Sequence, residues 1–361
     1  MRAASLVLLG SALAWACART SPDPGVEVDR LLSAGRGDAP GAAVIVIRDG
    51  SVLKRGAFGL ADLARGIPIG TDTAFNLASV SKQFTAMAIL LLAEEGRLSY
   101  DDPITRFLPE LSRFGDERRI RHLLTHSAGL PDYYEVMVQV SGVERPRTLH
   151  ALAVLAAWGE PLFPPGERYE YSNPGYELLA LIVERASGAS YAEFVEKRIF
   201  APLGMTSSVV YDERAPTIAR RAYGYRREGD GFRLDDDHPL NYLIGSGGIY
   251  STVEDLARWD QALYGERLVR RETLAEAFRP ARLNGGEEVP YGFGWRLTKH
   301  LGLARVWHGG EWLGFQTFIA RYPDRRFSVI VLSNLVETDA EGLADRLAAL
   351  YLGEEERSPR P

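Results

Sequence analysis

The feature that most constrains the fold is where hydrophobic patterning changes along the chain. Residues 42–62, AAVIVIRDGSVLKRGAFGLAD, read as two β-rich runs about Asp49-Gly50, a strong hairpin signal. Near the other end, LARVWHGG (303–310), GFQTFIARYP (314–323) and RFSVIVLSN (326–334) read as three further strands with turn residues between them. The stretch between is mostly helical pattern broken by Pro and Gly: IRHLLTHSAGLP, LHALAVLAAWG, YELLALIVERASG and YAEFVEKRIFAPLG. EGLADRLAALYL is a final amphipathic helix. Strands at both ends with helices between predict an α+β chain, not repeating βαβ units. One antiparallel sheet is built from both termini and flanked by helices, and a mainly helical subdomain is inserted in the middle.

With 361 residues, 46% apolar and 25% charged, the chain has ample length for a large core. Net charge is −6 and no basic run tracks a phosphate backbone, so nucleic acid is not an expected partner. Arg2 precedes AASLVLLGSALAWA, an apolar run too short to span a bilayer. Ala14-Trp15-Ala16 is an A-x-A cleavage signal, so residues 1–16 read as a signal peptide and the protein as exported. Cys17 follows at once and is the only cysteine, which excludes an intramolecular disulfide. A lone Cys after a signal sequence resembles a bacterial lipoprotein. Trp15 and the position of Leu13 depart from a lipobox, so a lipid anchor on Cys17 in the cell envelope and plain release to the periplasm both stay open. Residues 17–25 form a linker, the folded domain runs over 26–353, and 354–361 is a charged tail. Within the domain the α/β part covers about 26–78 and 240–353, and the helical part 79–239. No oligomerisation face is evident, so a monomer is expected.

FNLASVSKQFTAMAILLLAEEG (75–96) poses the functional question. Phe84 to Leu92 is apolar almost all round, the mark of a buried helix, yet Lys82 stands near its start. Burial and the positive helix end both disfavour an ammonium there. Ser79 lies one helical turn earlier, so an S-x-x-K pair shares one face. Taken alone, Ser79 capping the helix and Lys82 reaching to water is the simpler reading. A catalytic reading needs partners, because a Ser hydroxyl is a weak nucleophile without a base.

Two more stretches supply them. Tyr171-Ser172-Asn173 is a Y-x-N triplet before a helical pattern, and His308-Gly309-Gly310 is an H-x-G triplet on a predicted strand. In that order the three motifs resemble the penicillin-recognising serine hydrolases, the class C β-lactamase-like family, which includes D-amino-acid peptidase-like and esterase-like members. SVSKQFTAMAILLL, FPPGERYEYSNPGYELLALI, IFAPLGM, GSGGIYSTVEDLARW and YGFGWRL are similar to family signatures, so the resemblance covers most of residues 40–335. It implies a β-lactamase/DD-peptidase-like fold and no cofactor or metal. Ser79 resembles the acyl-forming nucleophile. Lys82 and Tyr171 would act as one coupled proton-transfer group, with Tyr171 the leading general base through a phenol pKa lowered by cationic neighbours. Asn173 would bind Lys82 and the substrate amide. The backbone N–H groups of Ser79 and Glu311 would form the oxyanion hole. Gly309 and Gly310 would let substrate lie close to the strand.

One departure bears on substrate. β-Lactamases of this group carry K-T-G where this chain has His308-Gly309-Gly310, so a fixed cation and a hydroxyl are missing. His308 is mostly neutral at pH 7, with a cation expected to return toward pH 6. The expected substrates are therefore esters and D-amino-acid amides or peptides, with weak turnover of β-lactams. A cell-envelope protein that binds peptidoglycan-like ligands without turnover is the alternative, and a Ser-Lys protease fits the Tyr and H-x-G partners poorly. His122 and His126, four apart on an expected helix, lack the Glu of H-E-x-x-H, and metal binding is not expected. No G-x-S-x-G elbow is present, against an α/β-hydrolase. Asp235-Asp236-Asp237 reads as a solvated loop. Tyr133, Tyr134, Trp307 and Trp312 flank the motifs and are candidates for a pocket wall.

Overall fold

The structure is a computed structural model that describes residues 37–132, 144–158, 160–212 and 217–353. The expected signal peptide, Cys17, the linker over 17–25, the domain start at 26, the tail over 354–361, and Tyr133 and Tyr134 lie outside the described residues.

The principal strands are β1 (Ala42–Arg48), β2 (Ser51–Phe58), β3 (Phe75–Asn76), β4 (Val209–Val210), β5 (Ile249–Ser251), β6 (Arg296–His300), β7 (Leu303–Trp312), β8 (Phe315–Tyr322) and β9 (Phe327–Ser333). The helices that matter here are α1 (Lys82–Glu94), α2 (Thr148–Trp158), α3 (Asn173–Ser187), α4 (Val253–Ala262) and α5 (Ala340–Gly353).

A six-stranded antiparallel sheet runs in the order β6-β7-β8-β9-β1-β2. Its centre joins the two ends of the chain, Ala42 opposite Ser333 and Arg48 opposite Phe327. The expected α+β sheet from both termini is therefore present. Asp49 and Gly50 turn the first hairpin, both at positive φ (50° and 79°), as a two-residue turn between twisted strands requires. The central strands are apolar on both sides because both faces are covered. Ile45, Ile319, Ile330 and Leu332 face the main core, and Val44, Val46, Val329 and Val331 pack against Leu343 and Leu347 of α5. β6 was not foreseen: Arg-Leu-Thr-Lys-His is short and half-buried and carries no strong period.

The expected long helix at residues 79–96 begins later than its sequence implies. Ala78–Ser81 form a 3₁₀ turn, and the α-helix starts at Lys82. No side chain caps it, so Ser79 is not a cap. Eleven consecutive residues, Lys82 to Leu92, are buried, which fits the apolar run. Fully burying one large apolar side chain is worth about 1.5–3 kcal/mol, so this helix tolerates one costly cation. It ends before Gly96, at φ 69°. β3 pairs with β5 and β4 with β5, a small sheet that pins the chain just before the 3₁₀ turn.

Candidate active site

β6 covers only part of its neighbour. Its pairing with β7 starts at Arg296 opposite Trp307 and runs toward His300 opposite Leu303. Residues 308–312 of β7 therefore have β8 on one side and, among the described residues, no strand on the other. The β7–β8 hairpin closes through Leu313-Gly314, with Trp312 opposite Phe315. The pair next to a two-residue turn is hydrogen-bonded, so the following pair, Glu311–Gln316, is not, and the Glu311 N–H points to the open edge.

The 3₁₀ turn that carries Ser79 is packed onto that edge. Leu77 N–H donates to Ile249 O at 2.8 Å, and Thr317 Oγ1 donates to Leu77 O at 2.8 Å. Ala78 sits at φ 47°, a left-handed conformation that a residue with a Cβ adopts at a cost, and its N–H is held by Asn76 Oδ1 at 2.8 Å. A Cβ on Gly310 would lie 2.2 Å from Leu77 O, so this glycine is needed by the protein's own packing, not only by a substrate. Gly309 has ordinary space, 3.4 Å from Phe318 Cδ2.

Lys82 does not reach water: its relative exposure is 0%. Its Nζ lies 3.0 Å from Ser79 Oγ, 2.8 Å from Asn173 Oδ1 and 2.9 Å from Ser246 O. Desolvation pushes the ammonium down to about 7; the Glu177 carboxylate holds it up and Arg296 presses it further down. Glu177 is itself buried on α3 and accepts from Gly245 N–H, Ser246 N–H and Thr148 Oγ1. It thereby fixes the carbonyl of Ser246 that faces Lys82.

Asn173 opens α3, where Ser172 Oγ caps Gly175 N–H and Pro174 follows at the first turn. Ser172 N–H donates to His126 Nδ1 at 3.0 Å. The His126 ring lies 4.3 Å from the Tyr171 ring, centre to centre, and burial holds His126 neutral, well below its usual pKa. Tyr171 lies near enough to Ser79 for that hydroxyl to favour its phenolate form, and its ring lies over Lys82, Nζ 5.0 Å from the ring centre.

Two expectations about charge are overturned. Tyr171 is not acidified: burial raises its phenol to about 12, with Ser79 and Arg296 offsetting only part of the rise. His308 is not a cation held in reserve: burial, with Lys82 adding to it, lowers its pKa to about 3. Its Nδ1–H donates to Gly309 O at 2.6 Å, so Nε2 accepts from Tyr291 O–H at 3.0 Å. The imidazole stays neutral from pH 5 to 8, and no cation returns near pH 6.

Ser79 lies between two recesses. A small one, about 60 Å³, is lined by Asn76, Leu240, Leu243 and Trp312 among others. A larger cleft of about 830 Å³ carries Tyr171, Arg296, Trp307 and His308. Ser79, Asn173 and Glu311 border both.

A model of the beta-lactamase family matches residues 28–353. The chain belongs to the beta-lactamase family. It is 39% identical over 316 residues to penicillin-binding protein 4* of Bacillus subtilis (strain 168), covering 81% of this chain and 68% of that protein. It is 32% identical over 333 residues to a D-aminopeptidase of Cereibacter sphaeroides, covering 91% of this chain and 62% of that protein. The chain thus spans about two thirds of the length of these relatives. Among solved structures, an octameric penicillin-binding protein homologue from Pyrococcus abyssi matches with a TM-score of 0.79 at 30% identity, over 91% of this chain and 77% of its own. The D-amino acid amidase from Ochrobactrum anthropi SV3 matches with a TM-score of 0.78 at 26% identity, over 93% and 99%.

In this beta-lactamase-family chain the fold brings together Ser79, Lys82, Tyr171, Asn173, His308, Gly310 and Glu311, all named from sequence. Sequence reasoning missed Glu177, Ser246 and Arg296, and read His126 only as half of a histidine pair. That pair does not share a helix: Ile120–Leu124 is a single short turn, and His126 follows it at φ 56°. Asp235 and Asp236 are not simply solvated; they pair with Arg226 and Arg221. Thr252 caps α4, and Gly247 and Gly248 line the small recess, as GSGGIYSTVEDLARW implies.

Proposed function

We propose that this protein is an exported serine hydrolase that forms an acyl-enzyme on Ser79 with D-amino-acid amides, peptides or esters. Family and fold make it a serine hydrolase of the beta-lactamase type; the substrate and the roles of the residues are our reading. The observation that carries it is the three-oxygen cage around Lys82 Nζ. With a pKa of about 7 the amine is substantially neutral at pH 7 and above. A neutral amine has two N–H donors and one lone pair. Asn173 Oδ1 and Ser246 O take the donors, which leaves the lone pair for the Ser79 O–H.

In the first step Lys82 takes the Ser79 proton while Oγ bonds to the scissile carbonyl carbon. The Ser79 and Glu311 N–H groups receive the oxyanion. The new ammonium keeps three acceptors, so it forms without an unpaired donor. The leaving group departs with the proton of the Tyr171 O–H, which Lys82 restores through the shared network. Tyr171, at about 12, suits this donor role and not that of a standing phenolate. Water then repeats the sequence in reverse and releases the acid. The neutral His308 supports substrates that need no cation at that position, and the D-aminopeptidase and D-amino acid amidase relatives support D-amino-acid chemistry.

A slowly acylating penicillin-binding protein of the cell envelope shares every step up to the acyl-enzyme, and the penicillin-binding relative supports it. Deacylation separates the two. The test is hydrolysis of D-alanine amide and p-nitrophenyl acetate by native protein and by Ser79→Ala. Multiple turnover by the native protein alone supports the hydrolase. A single burst supports the slow acylator, and equal rates from both proteins refute both.

A further inference from the structure

Tyr171 stands on chain that no helix or strand holds. Residues 168–172 belong to no regular element, and α3 begins only at Asn173. The backbone bonds that fix Tyr171 must come from elsewhere, and one residue supplies them on both sides. His126 O accepts from Glu170 N–H at 2.8 Å, and His126 Nδ1 accepts from Ser172 N–H at 3.0 Å. The imidazole also lies 4.3 Å from the Tyr171 ring, centre to centre, at an interplanar angle of 35°. His126 is 1% exposed and takes φ 56°, a conformation that a residue with a Cβ keeps only where its surroundings impose it. With Nδ1 accepting, the ring proton is on Nε2. Among the described residues Nε2 has no hydrogen-bond partner, and the rings of Tyr169, Tyr176 and Tyr291 surround the imidazole at 5.9, 5.1 and 4.6 Å. The ring therefore has one polar task, to hold the amide between Tyr171 and Ser172.

We propose that His126 is the positioning residue for Tyr171, and that it sets how well the site protonates a poor leaving group. This rests on the reading of Tyr171 as the proton donor to the leaving group. Lys82 takes the Ser79 proton within its own cage, and His126 is not among the partners of that cage. Loss of the His126 contacts thus moves the phenol and leaves nucleophilic attack in place. An amide expels an amine and needs the Tyr171 proton as the C–N bond breaks. A p-nitrophenyl ester expels a stable phenolate and does not. Amides and peptides are the substrates that depend on His126, and activated esters are not.

The experiment measures kcat/KM, which reports acylation, for D-alanine amide and D-alanine p-nitrophenyl ester. Both give the same acyl-enzyme. The proteins are native, Tyr171→Phe, His126→Leu, His126→Asn and the double variant of Tyr171→Phe with His126→Leu, and fluorophosphonate labelling at Ser79 counts their active sites. Leu fills similar space without an acceptor, whereas Asn tolerates a left-handed backbone and places Oδ1 where Nδ1 stands. Tyr171→Phe and His126→Leu should each lower the amide rate by about 10²-fold and the ester rate by less than about tenfold. His126→Asn should recover most of the amide rate, and the double variant should cost the amide little more than Tyr171→Phe alone. Equal losses on both substrates in His126→Leu, no loss on the amide, no recovery in His126→Asn, or multiplicative losses in the double variant overturn the role of His126 and leave Tyr171 standing. If His126→Leu does not label, His126→Gln replaces it: its oxygen lies one bond further out, so its amide rate should fall below that of His126→Asn, and equal rates overturn the proposal. An equal loss on both substrates in Tyr171→Phe, or no turnover of the amide by native protein that labels, overturns the reading of Tyr171 and this inference with it. Native protein unlabelled at Ser79 overturns the nucleophile as well.

Discussion

At the residue scale the site depends on a lysine that is costly to keep charged. Lys82 is fully buried at the start of α1, and Glu177 is the carboxylate that raises its pKa most. Below about pH 7 the amine is protonated and has no lone pair for Ser79. The rate should therefore rise with pH through about 7, level off, and show no second limb below pH 10, because Tyr171 keeps its proton to about 12. His308 adds no inflection between pH 5 and 8. A pH profile of kcat/KM for a neutral ester checks this, and a rate falling from pH 7 to 9 contradicts it. The same shift bears on stability. Between about pH 7 and the ordinary lysine pKa the unfolded chain binds a proton that the folded chain has lost, so native stability gains from Lys82 as pH rises through that window. Ser79 and Lys82 were legible in sequence because they are neighbours on one turn. The acid–base roles were not, because they depend on depth of burial. Tyr171 and His308 moved opposite to, or further than, their nearest charged residues suggest.

At the element scale, partial coverage of a strand makes the cleft. β7 was legible as a strand, but its open edge depends on where β6 stops, and β6 carries too weak a pattern to be read. Arg296 was invisible for the same reason: its importance lies in being opposite Trp307. α3 does two tasks at once, presenting Asn173 from its first turn and Glu177 one turn later against the 245–246 backbone. Glu177→Gln removes the anion that favours the Lys82 ammonium and turns an amide donor toward backbone N–H groups. We expect kcat to fall by about tenfold, the scale of one lost charge-assisted hydrogen bond, and the apparent pKa of the rate to move down. An unchanged pKa, measured from the pH profile of the variant, would show that Glu177 does not act through Lys82.

At the scale of the whole molecule, a sheet built from strands near both termini keeps the Ser79 turn and the open edge of β7 in fixed relation. The turn follows β2 by a short stretch and the open edge lies on β7, yet Thr317 and Gly310 lock them together. This topology was legible because strands at both ends and helices between leave few α+β arrangements. The placement of the recesses was not, because segments far apart in sequence, such as 240–248 and residues 307–312 of β7, form their walls. Among the described residues no helix is long and apolar enough to cross a membrane. Attachment to the envelope is proposed to run through Cys17. Protein made in its source organism should partition into detergent, and Cys17→Ser should abolish this; equal partition of both forms leaves only the plain signal-peptide reading.

The central claim is that Ser79 is the acyl-forming nucleophile. Intact mass and peptide mapping after treatment with a fluorophosphonate test it most directly. One adduct per chain, on Ser79 and absent from Ser79→Ala, is the predicted result. An adduct on Ser81, Ser172 or Ser246, or an unmodified protein, would contradict it.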